Sequence, residues 1–143
     1  MSYLLDTNII IGVLRKKPSI LGNYVKLTET SPTTFISSYT IAELFEGLYR
    51  SNIPEKKAEE ETILELMFED FEQRDRILSL KKSHAATYAH LKILLDDHGT
   101  PIPIIDLLIG SIAIGENLIL ITTDKKHFQA LKKIEPRLTV KFW

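Results

Sequence analysis

Three aspartates lie at positions in the chain where a carboxylate can do metal chemistry. Asp6 ends the apolar run YLLD, Asp106 follows PIPII, and Asp124 follows LILITT. Each lies where an apolar segment passes into a predicted helix. Asp at such a junction often accepts hydrogen bonds from the free N–H groups of the first helical turn. For any one of them alone, helix capping is the simpler interpretation.

The three aspartates taken together favour a second interpretation. In open parallel sheets, ligands bind beyond the carboxyl ends of the strands, where Asp6 and Asp124 are both predicted to lie. Asp106 follows a proline-bounded loop and can reach the same crevice. Two carboxylates about 4 Å apart repel by roughly 4 kcal/mol at an effective dielectric constant of about 20. Such a cluster protonates, separates or binds a cation, and its oxygen ligands suit Mg²⁺ or Mn²⁺.

Glu43 is a fourth candidate, and periodicity leaves its role open. It lies on a predicted helix, Ser38–Ser51, opposite an apolar stripe and on the same side as Glu46 and Arg50. A solvated face with a Glu46–Arg50 pair is the interpretation that periodicity favours. A polar face can equally line a cleft, so Glu43 remains a candidate ligand.

Hydroxyl and amide side chains surround these acids in the sequence. Such groups orient metal ligands and metal-bound water in many sites, although they are more commonly turn and cap residues. The candidates for this supporting role are Thr7, Asn8, Ser38, Thr122 and Thr123.

Strand and helix patterns alternate along the chain, which predicts βαβ units and a parallel sheet. Short apolar runs predict strands at Tyr3–Leu5, Thr34–Ser37, Ile77–Leu80, Leu118–Ile121 and Leu138–Phe142. Helical periodicity predicts helices at Ile9–Leu14, Ser38–Ser51, Glu55–Phe71, Lys81–Asp97, Asp106–Gly115 and Phe128–Lys133.

Length and composition narrow the functional classes. The 143 residues are enough for one domain with one core, and a net charge of -1 does not indicate general nucleic-acid binding, which would need a local basic patch. The absence of cysteine excludes disulfides, thiol nucleophiles and zinc–cysteine sites. We find neither a signal-peptide pattern nor an apolar run long enough to span a membrane, so we expect a cytoplasmic protein.

Three motifs in order resemble the PIN domain family of metal-dependent ribonucleases, in particular the VapC-type toxins of toxin–antitoxin pairs. They are LLDTNIIIGVLR, SSYTIAELFEG and PIPIIDLLIGSIAIGENLILITTDKKHF. The resemblance implies a single PIN domain over residues 1–143, folded as a three-layer α/β/α sandwich with a short, mainly parallel central sheet. It also implies that Asp6, Glu43, Asp106 and Asp124 form an acidic quartet that holds one or two Mg²⁺ or Mn²⁺ ions. DLLIGS departs from the D-x-x-I-A-A of many relatives, but Gly110 and Ser111 are equally small.

The same resemblance implies the activity and the partners. A VapC-type protein is an endoribonuclease that hydrolyses RNA phosphodiester bonds, forms homodimers and is silenced by a cognate antitoxin lying across its site. The predicted helix Glu55–Phe71 carries Ile63, Met67, Phe68 and Phe71. This apolar surface is a candidate groove for an antitoxin helix or a dimer face, although packing in the core explains it equally well.

Basic residues near the acids are candidates for contact with RNA phosphates, with simple solvation as the alternative. They are Arg15, Lys16 and Lys17 after the first helix, and Lys125 and Lys126 after Asp124. His127 can contact phosphate, but a surface helix position is the simpler interpretation. His84 and His90 are six residues apart on a predicted helix, a poor spacing for joint metal binding, so we treat both as structural.

Two rival functions remain at this stage, and the first is an enzyme or phosphoacceptor domain that uses an Asp after its first strand. Phosphatases of the haloacid dehalogenase type place a second Asp two residues after the first, where this chain has Asn8. Receiver domains need an acidic pair near the first strand and an Asp after the third, where this chain has SLKKS. A non-catalytic PIN-like module that binds RNA or protein is the other rival, and the complete acidic quartet argues against it.

Overall fold

A single parallel sheet forms the centre of the protein. The computed structural model describes residues 1–143 and contains five strands in the order β3-β2-β1-β4-β5, all parallel. The strands are β1 Ser2–Leu5, β2 Thr33–Ser37, β3 Ile77–Leu78, β4 Ile119–Thr122 and β5 Thr139–Phe142. All five predicted strands are therefore present, and each starts or ends within two residues of its predicted bounds.

Seven helices flank this sheet. They are α1 Thr7–Leu14, α2 Pro18–Glu29, α3 Ser38–Tyr49, α4 Pro54–Gln73, α5 Lys82–Asp97, α6 Ile104–Gly115 and α7 Lys125–Ile134. Six of them were predicted from periodicity. None of the seven is both long enough and apolar enough to cross a membrane.

Helix α2 was not predicted from the sequence. Its signals are nevertheless present, because Pro18 occupies the first turn, where proline is favoured. Ile20, Tyr24 and Leu27 follow at helical spacing, and Ile20 and Leu27 are buried.

Each face of the sheet carries its own apolar cluster, which makes the fold the expected three-layer α/β/α sandwich. Side chains alternate along a strand, so Leu5 and Ile121 point to one face while Leu4 and Leu120 point to the other. Helices α1 to α4 pack on the first face, and α5 to α7 pack on the second. Burial on both faces explains why the strands are continuous apolar runs rather than alternating ones.

The strand order opens a crevice beside β1. The chain passes from β1 to β2 and β3 through α1 to α4 on one face, and then returns through α5 and α6 on the other face to place β4 against β1. Helices that follow β1 and β4 therefore leave toward opposite faces. The space between them, beyond the carboxyl ends of the two strands, is where open α/β sheets bind ligands.

Gly110 allows α6 and α7 to pack closely. A Cβ at this position would lie 2.7 Å from Leu131 Cδ2 of α7. The departure from the usual alanine in DLLIGS therefore coincides with a close contact between helices.

Candidate functional site

Asp6 lies at the carboxyl end of β1 and is the most constrained residue of the candidate site. Its side chain is 3% exposed and caps α1 by accepting a hydrogen bond from Thr7 N at 2.8 Å. The second carboxylate oxygen accepts from Thr122 Oγ1 at 2.7 Å and from Asn8 Nδ2 at 3.1 Å. Capping and a fixed position in the site are therefore combined in one carboxylate.

Burial raises the pKa of Asp6 from 3.8 to about 6. The hydrogen bonds from Thr122 and Thr7 act in the opposite direction because they stabilise the charged form. The negative charges of Glu43 and Asp124 raise the pKa of Asp6 further, because both residues are close enough to repel its charged form. Burial and the neighbouring negative charges therefore outweigh the hydrogen bonds that favour the charged carboxylate.

Glu43 faces the same crevice from α3, a point on which periodicity was undecided. Its Oε1 accepts a hydrogen bond of 2.5 Å from Thr7 Oγ1, and the Thr7 hydroxyl also lies 3.1 Å from Thr40 Oγ1. Glu46 and Arg50 form the exposed pair expected from their spacing, at 2.8 Å. Only part of the polar face of α3 is therefore solvated, because Glu43 lies against α1.

Asp106 enters the crevice from the first turn of α6. This helix begins at Ile104 rather than at Asp106, and its N-cap residue is Pro103, so Asp106 is not a helix cap. Burial is the largest cause that raises the pKa of Asp106 to about 6, followed by the charges of Asp6 and Asp124. Glu43 adds to the increase, and His127 opposes it. The charges of Glu43 and Asp124 thus act on both Asp6 and Asp106.

Asp124 lies two residues beyond β4 and caps α7. Its Oδ1 accepts from His127 N at 3.0 Å, and its Oδ2 lies 2.6 Å from His127 Nδ1. The same imidazole nitrogen lies 3.2 Å from Asp106 Oδ2. His127 is therefore part of the carboxylate cluster, and its interpretation as an ordinary surface histidine is wrong. The sequence did contain a signal for this position. His127 is three residues after Asp124, and the backbone N–H at that position commonly donates to the side chain of the N-cap residue.

The chemistry of this donor set fits a divalent cation. One ligand atom from each of Asp106, Asp124 and His127 lies within 4.8 Å of the others. Asp6 and Glu43 add two more carboxylates, and burial together with the charges of neighbouring acids raises the pKa values of Asp6 and Asp106. A cation that favours oxygen ligands would offset these negative charges.

Comparison with known protein families matches residues 3–134 to the PIN domain. The chain belongs to the PIN domain family. It is similar to "Ribonuclease VapC2" of Haemophilus influenzae, at 32% identity over 90% of this chain and 91% of the relative. A second "Ribonuclease VapC2", from Rickettsia felis, is 33% identical over 100% of this chain and 98% of its own length.

A solved structure gives the same result for the fold. The structure of VapBC2 from Rickettsia felis bound to a DNA fragment from its promoter covers 100% of this chain and 99% of its own, with 31% identity and a TM-score of 0.76. The PIN fold expected from the three sequence motifs is therefore confirmed.

A polar network in this PIN domain links the ends of β1 and β4. Asn8 donates to Asp6 and to Thr122 Oγ1, and its Oδ1 accepts from Thr123 N at 3.1 Å. Thr122 Oγ1 also accepts from Asp124 N at 3.0 Å. Through Thr122, the network therefore fixes Asp6 and the backbone of Asp124 relative to each other.

Ser38 was predicted in this network, but it takes no part in its hydrogen bonds. The neighbouring residue Ser37 caps α3 instead, and its Oγ accepts from Thr40 N at 3.1 Å. The helix starts at Ser38, so the capping hydroxyl lies one residue earlier in the sequence.

The remaining predicted residues are the candidate RNA-binding cations and two histidines. Lys125 and Lys126 begin α7 directly after Asp124, and Arg15 lies in a groove whose lining also includes Glu43. These three residues and Lys16 and Lys17 are exposed. His84 is buried and structural, because its ring accepts from Lys81 N and contacts Glu116 at 2.9 Å. His90 is exposed on α5.

Proposed function

We propose that this chain is a metal-dependent endoribonuclease and the toxin of a type II toxin–antitoxin pair. The observation that carries the proposal is the convergence of Asp6, Glu43, Asp106 and Asp124 at the carboxyl ends of β1 and β4, in a chain aligned along its whole length with proteins named ribonuclease VapC. A non-catalytic module would need no such concentration of charge, and the raised pKa values mark it as unfavourable without a cation.

In the proposed mechanism, the four acids would hold one or two Mg²⁺ or Mn²⁺ ions. The ion would activate a water and stabilise the charge that develops on the phosphate and on the leaving oxygen. Asp6 acts as a rigid anchor because three donors fix both of its oxygens. Asp106 and Asp124 are more exposed, with side-chain exposures of 19% and 24%, so they face the approaching phosphate.

The residues around the acids would orient the site and bring RNA to it. Thr7 fixes Glu43, while Thr122, Thr123 and Asn8 align the ends of the two strands. The exposed cations Arg15, Lys16, Lys17, Lys125 and Lys126 would compensate the acidic site by contacting RNA phosphates.

We place the antitoxin on the groove between α1, α3 and α4 rather than on the apolar face of α4 alone. Of the four apolar residues predicted to form this face, Phe68 and Phe71 are core residues and Met67 is half-buried, so only Ile63 is exposed to a partner. The groove is lined by Ile11, Leu14, Arg15, Glu43, Leu44, Gly47, Leu48, Glu60 and Leu64. A segment bound there would lie directly beside Glu43 and block the site, and the VapBC2 structure supports a partner of this kind. A homodimer, also expected, is tested by the mass of the purified chain in solution.

The test compares the wild-type chain with Asp6→Asn on labelled RNA, in Mg²⁺, in Mn²⁺ and in EDTA. We expect cleavage by the wild type with either metal and none in EDTA or with Asp6→Asn. Asp97→Asn, which neutralises an exposed acid at the end of α5, is the matched control and should cleave normally. Cleavage that survives EDTA or the Asp6 change contradicts the metal mechanism, and RNA binding without cleavage by the wild type favours the module.

A further inference from the structure

His127 is the side chain of the cluster to which the proposed mechanism gives no role. Its Nδ1 lies 2.6 Å from Asp124 Oδ2 and 3.2 Å from Asp106 Oδ2. A ring nitrogen carries at most one proton and can donate it to one oxygen at a time. Two carboxylates therefore converge on a single nitrogen, an arrangement that a hydrogen bond alone satisfies only in part.

The two distances from His127 Nδ1 to the carboxylate oxygens are similar to those between neighbouring ligands of one ion. Ligands of an octahedral Mg²⁺ lie about 2.1 Å from the ion, so neighbouring ligand atoms are about 3 Å apart. The two distances to His127 Nδ1 lie on either side of that value. One ion can thus contact Asp106, Asp124 and His127 after small side-chain movements.

The imidazole is also positioned to present an unprotonated nitrogen. Its backbone N–H is held by the Asp124 cap, which keeps the ring over the carboxylates. The side chain is 26% exposed, so solvent can take the hydrogen bond of Nε2–H when the proton resides on that nitrogen. Nδ1 is then free to coordinate an ion.

We propose that His127 Nδ1 is a ligand of the divalent ion, beside Asp106 and Asp124, and that this nitrogen makes the site prefer Mn²⁺ over Mg²⁺. Mg²⁺ is a hard cation that takes oxygen ligands and exchanges them reluctantly for others. Imidazole suits transition-metal ions better, so one nitrogen among carboxylates shifts the selectivity toward Mn²⁺. The inference rests on the proposed metal site and adds the residue that determines its metal preference.

The direct test is pulsed electron paramagnetic resonance of the wild-type chain with one equivalent of Mn²⁺. We expect the ¹⁴N modulation of a coordinated imidazole, lost in His127→Gln and retained in His90→Gln, the matched change of an exposed histidine on α5. Competition of Mg²⁺ against bound Mn²⁺ should show that His127→Gln loses about tenfold or more of its affinity for Mn²⁺ and less for Mg²⁺. Circular dichroism checks that the variant is folded.

Three outcomes overturn the inference: Mn²⁺ does not bind, Mn²⁺ binds the wild type without a nitrogen signal, or the ratio of the two metal affinities is unchanged in His127→Gln. The wild-type spectrum needs no variant, so a folding defect cannot hide the answer. RNA cleavage is measured separately. A nitrogen signal without RNA cleavage would contradict the ribonuclease function but support His127 as a metal ligand. RNA cleavage without a nitrogen signal would support the ribonuclease function and contradict the role of His127.

Discussion

Asp6→Asn should stabilise the metal-free protein at pH 8 while abolishing RNA cleavage. Asp6 is almost completely buried, and its folded-state pKa of about 6 is well above its ordinary value of 3.8. An acid with a raised pKa contributes stability below its unfolded-state pKa and loses that contribution as the pH rises through the folded-state value. At pH 8 the wild type therefore pays the full cost of a buried charge.

The magnitude follows from that shift and from the hydrogen bonds of Asp6. A pKa change from 3.8 to about 6 corresponds to about 3 kcal/mol. Asparagine keeps one acceptor but places an NH₂ group against Asn8 Nδ2 and Thr122 Oγ1, which costs about 1 to 2 kcal/mol. The net gain of about 1 to 2 kcal/mol raises Tm by about 3 to 7 °C for a chain of 143 residues.

The pH dependence separates this charge effect from ordinary repacking. At pH 5 the folded wild type already holds the proton on Asp6, which recovers about 1.4 kcal/mol relative to pH 8 by linkage from the same two pKa values. Asparagine has no such proton. The advantage of Asp6→Asn should therefore be clear at pH 8 and almost absent at pH 5.

Thermal unfolding in EDTA at both pH values is the assay, with Asp97→Asn as the control that should change Tm little at either pH. An Asp6→Asn variant that is no more stable than the wild type at pH 8 refutes the reasoning, as does a difference that is equal at the two pH values. Adding Mn²⁺ at pH 8 should stabilise the wild type and have a smaller effect on the variant, because bound ligand stabilises only the state that binds it.

Two further substitutions test the packing around the site. Thr122→Val keeps the shape of the side chain but removes the donor to Asp6 and leaves Asp124 N without its acceptor. Urea unfolding should therefore show a loss of about 1 to 3 kcal/mol in the free energy of unfolding. Thr122→Ser keeps the hydroxyl and should lose clearly less, so equal losses in the two variants would contradict the hydrogen-bond argument. Gly115→Ala places a Cβ against the ring of His84, which is held by Lys81 N and Glu116, and should cost about 1 to 3 kcal/mol. Gly22→Ala in α2 meets open space and should gain about 0.5 to 1 kcal/mol, so a similar loss at both glycines would show that the His84 contact is not the cause.

Local patterns predicted most of the elements because the strands are buried on both faces. A continuous apolar run that stops at a polar residue is visible without any tertiary information, which is why the end of β1 at Leu5 was found. The boundary between Ser37 and Ser38 was predicted correctly, but the choice of Ser38 as a supporting hydroxyl was wrong. Either serine can cap a helix, and only the backbone geometry selects Ser37.

Residues whose role depends on a distant element could not be assigned from periodicity. Glu43 lies on the polar face of α3, and only the packing of α1 against it brings Thr7 within hydrogen-bond distance. His127 follows its cap by three residues, yet its second partner, Asp106, belongs to another helix. The resemblance to the PIN motifs supplied Glu43 but gave no role to His127.

The sequence by itself determined which residues stand at the ends of β1 and β4, because apolar runs end where a buried strand ends. The tertiary structure decided that those ends meet. The order β3-β2-β1-β4-β5 sets β4 against β1 although more than a hundred residues separate them, and no local pattern encodes that pairing. The pKa values of about 6 at Asp6 and Asp106 arise only then, because burial and mutual repulsion exist only once the carboxylates share one crevice.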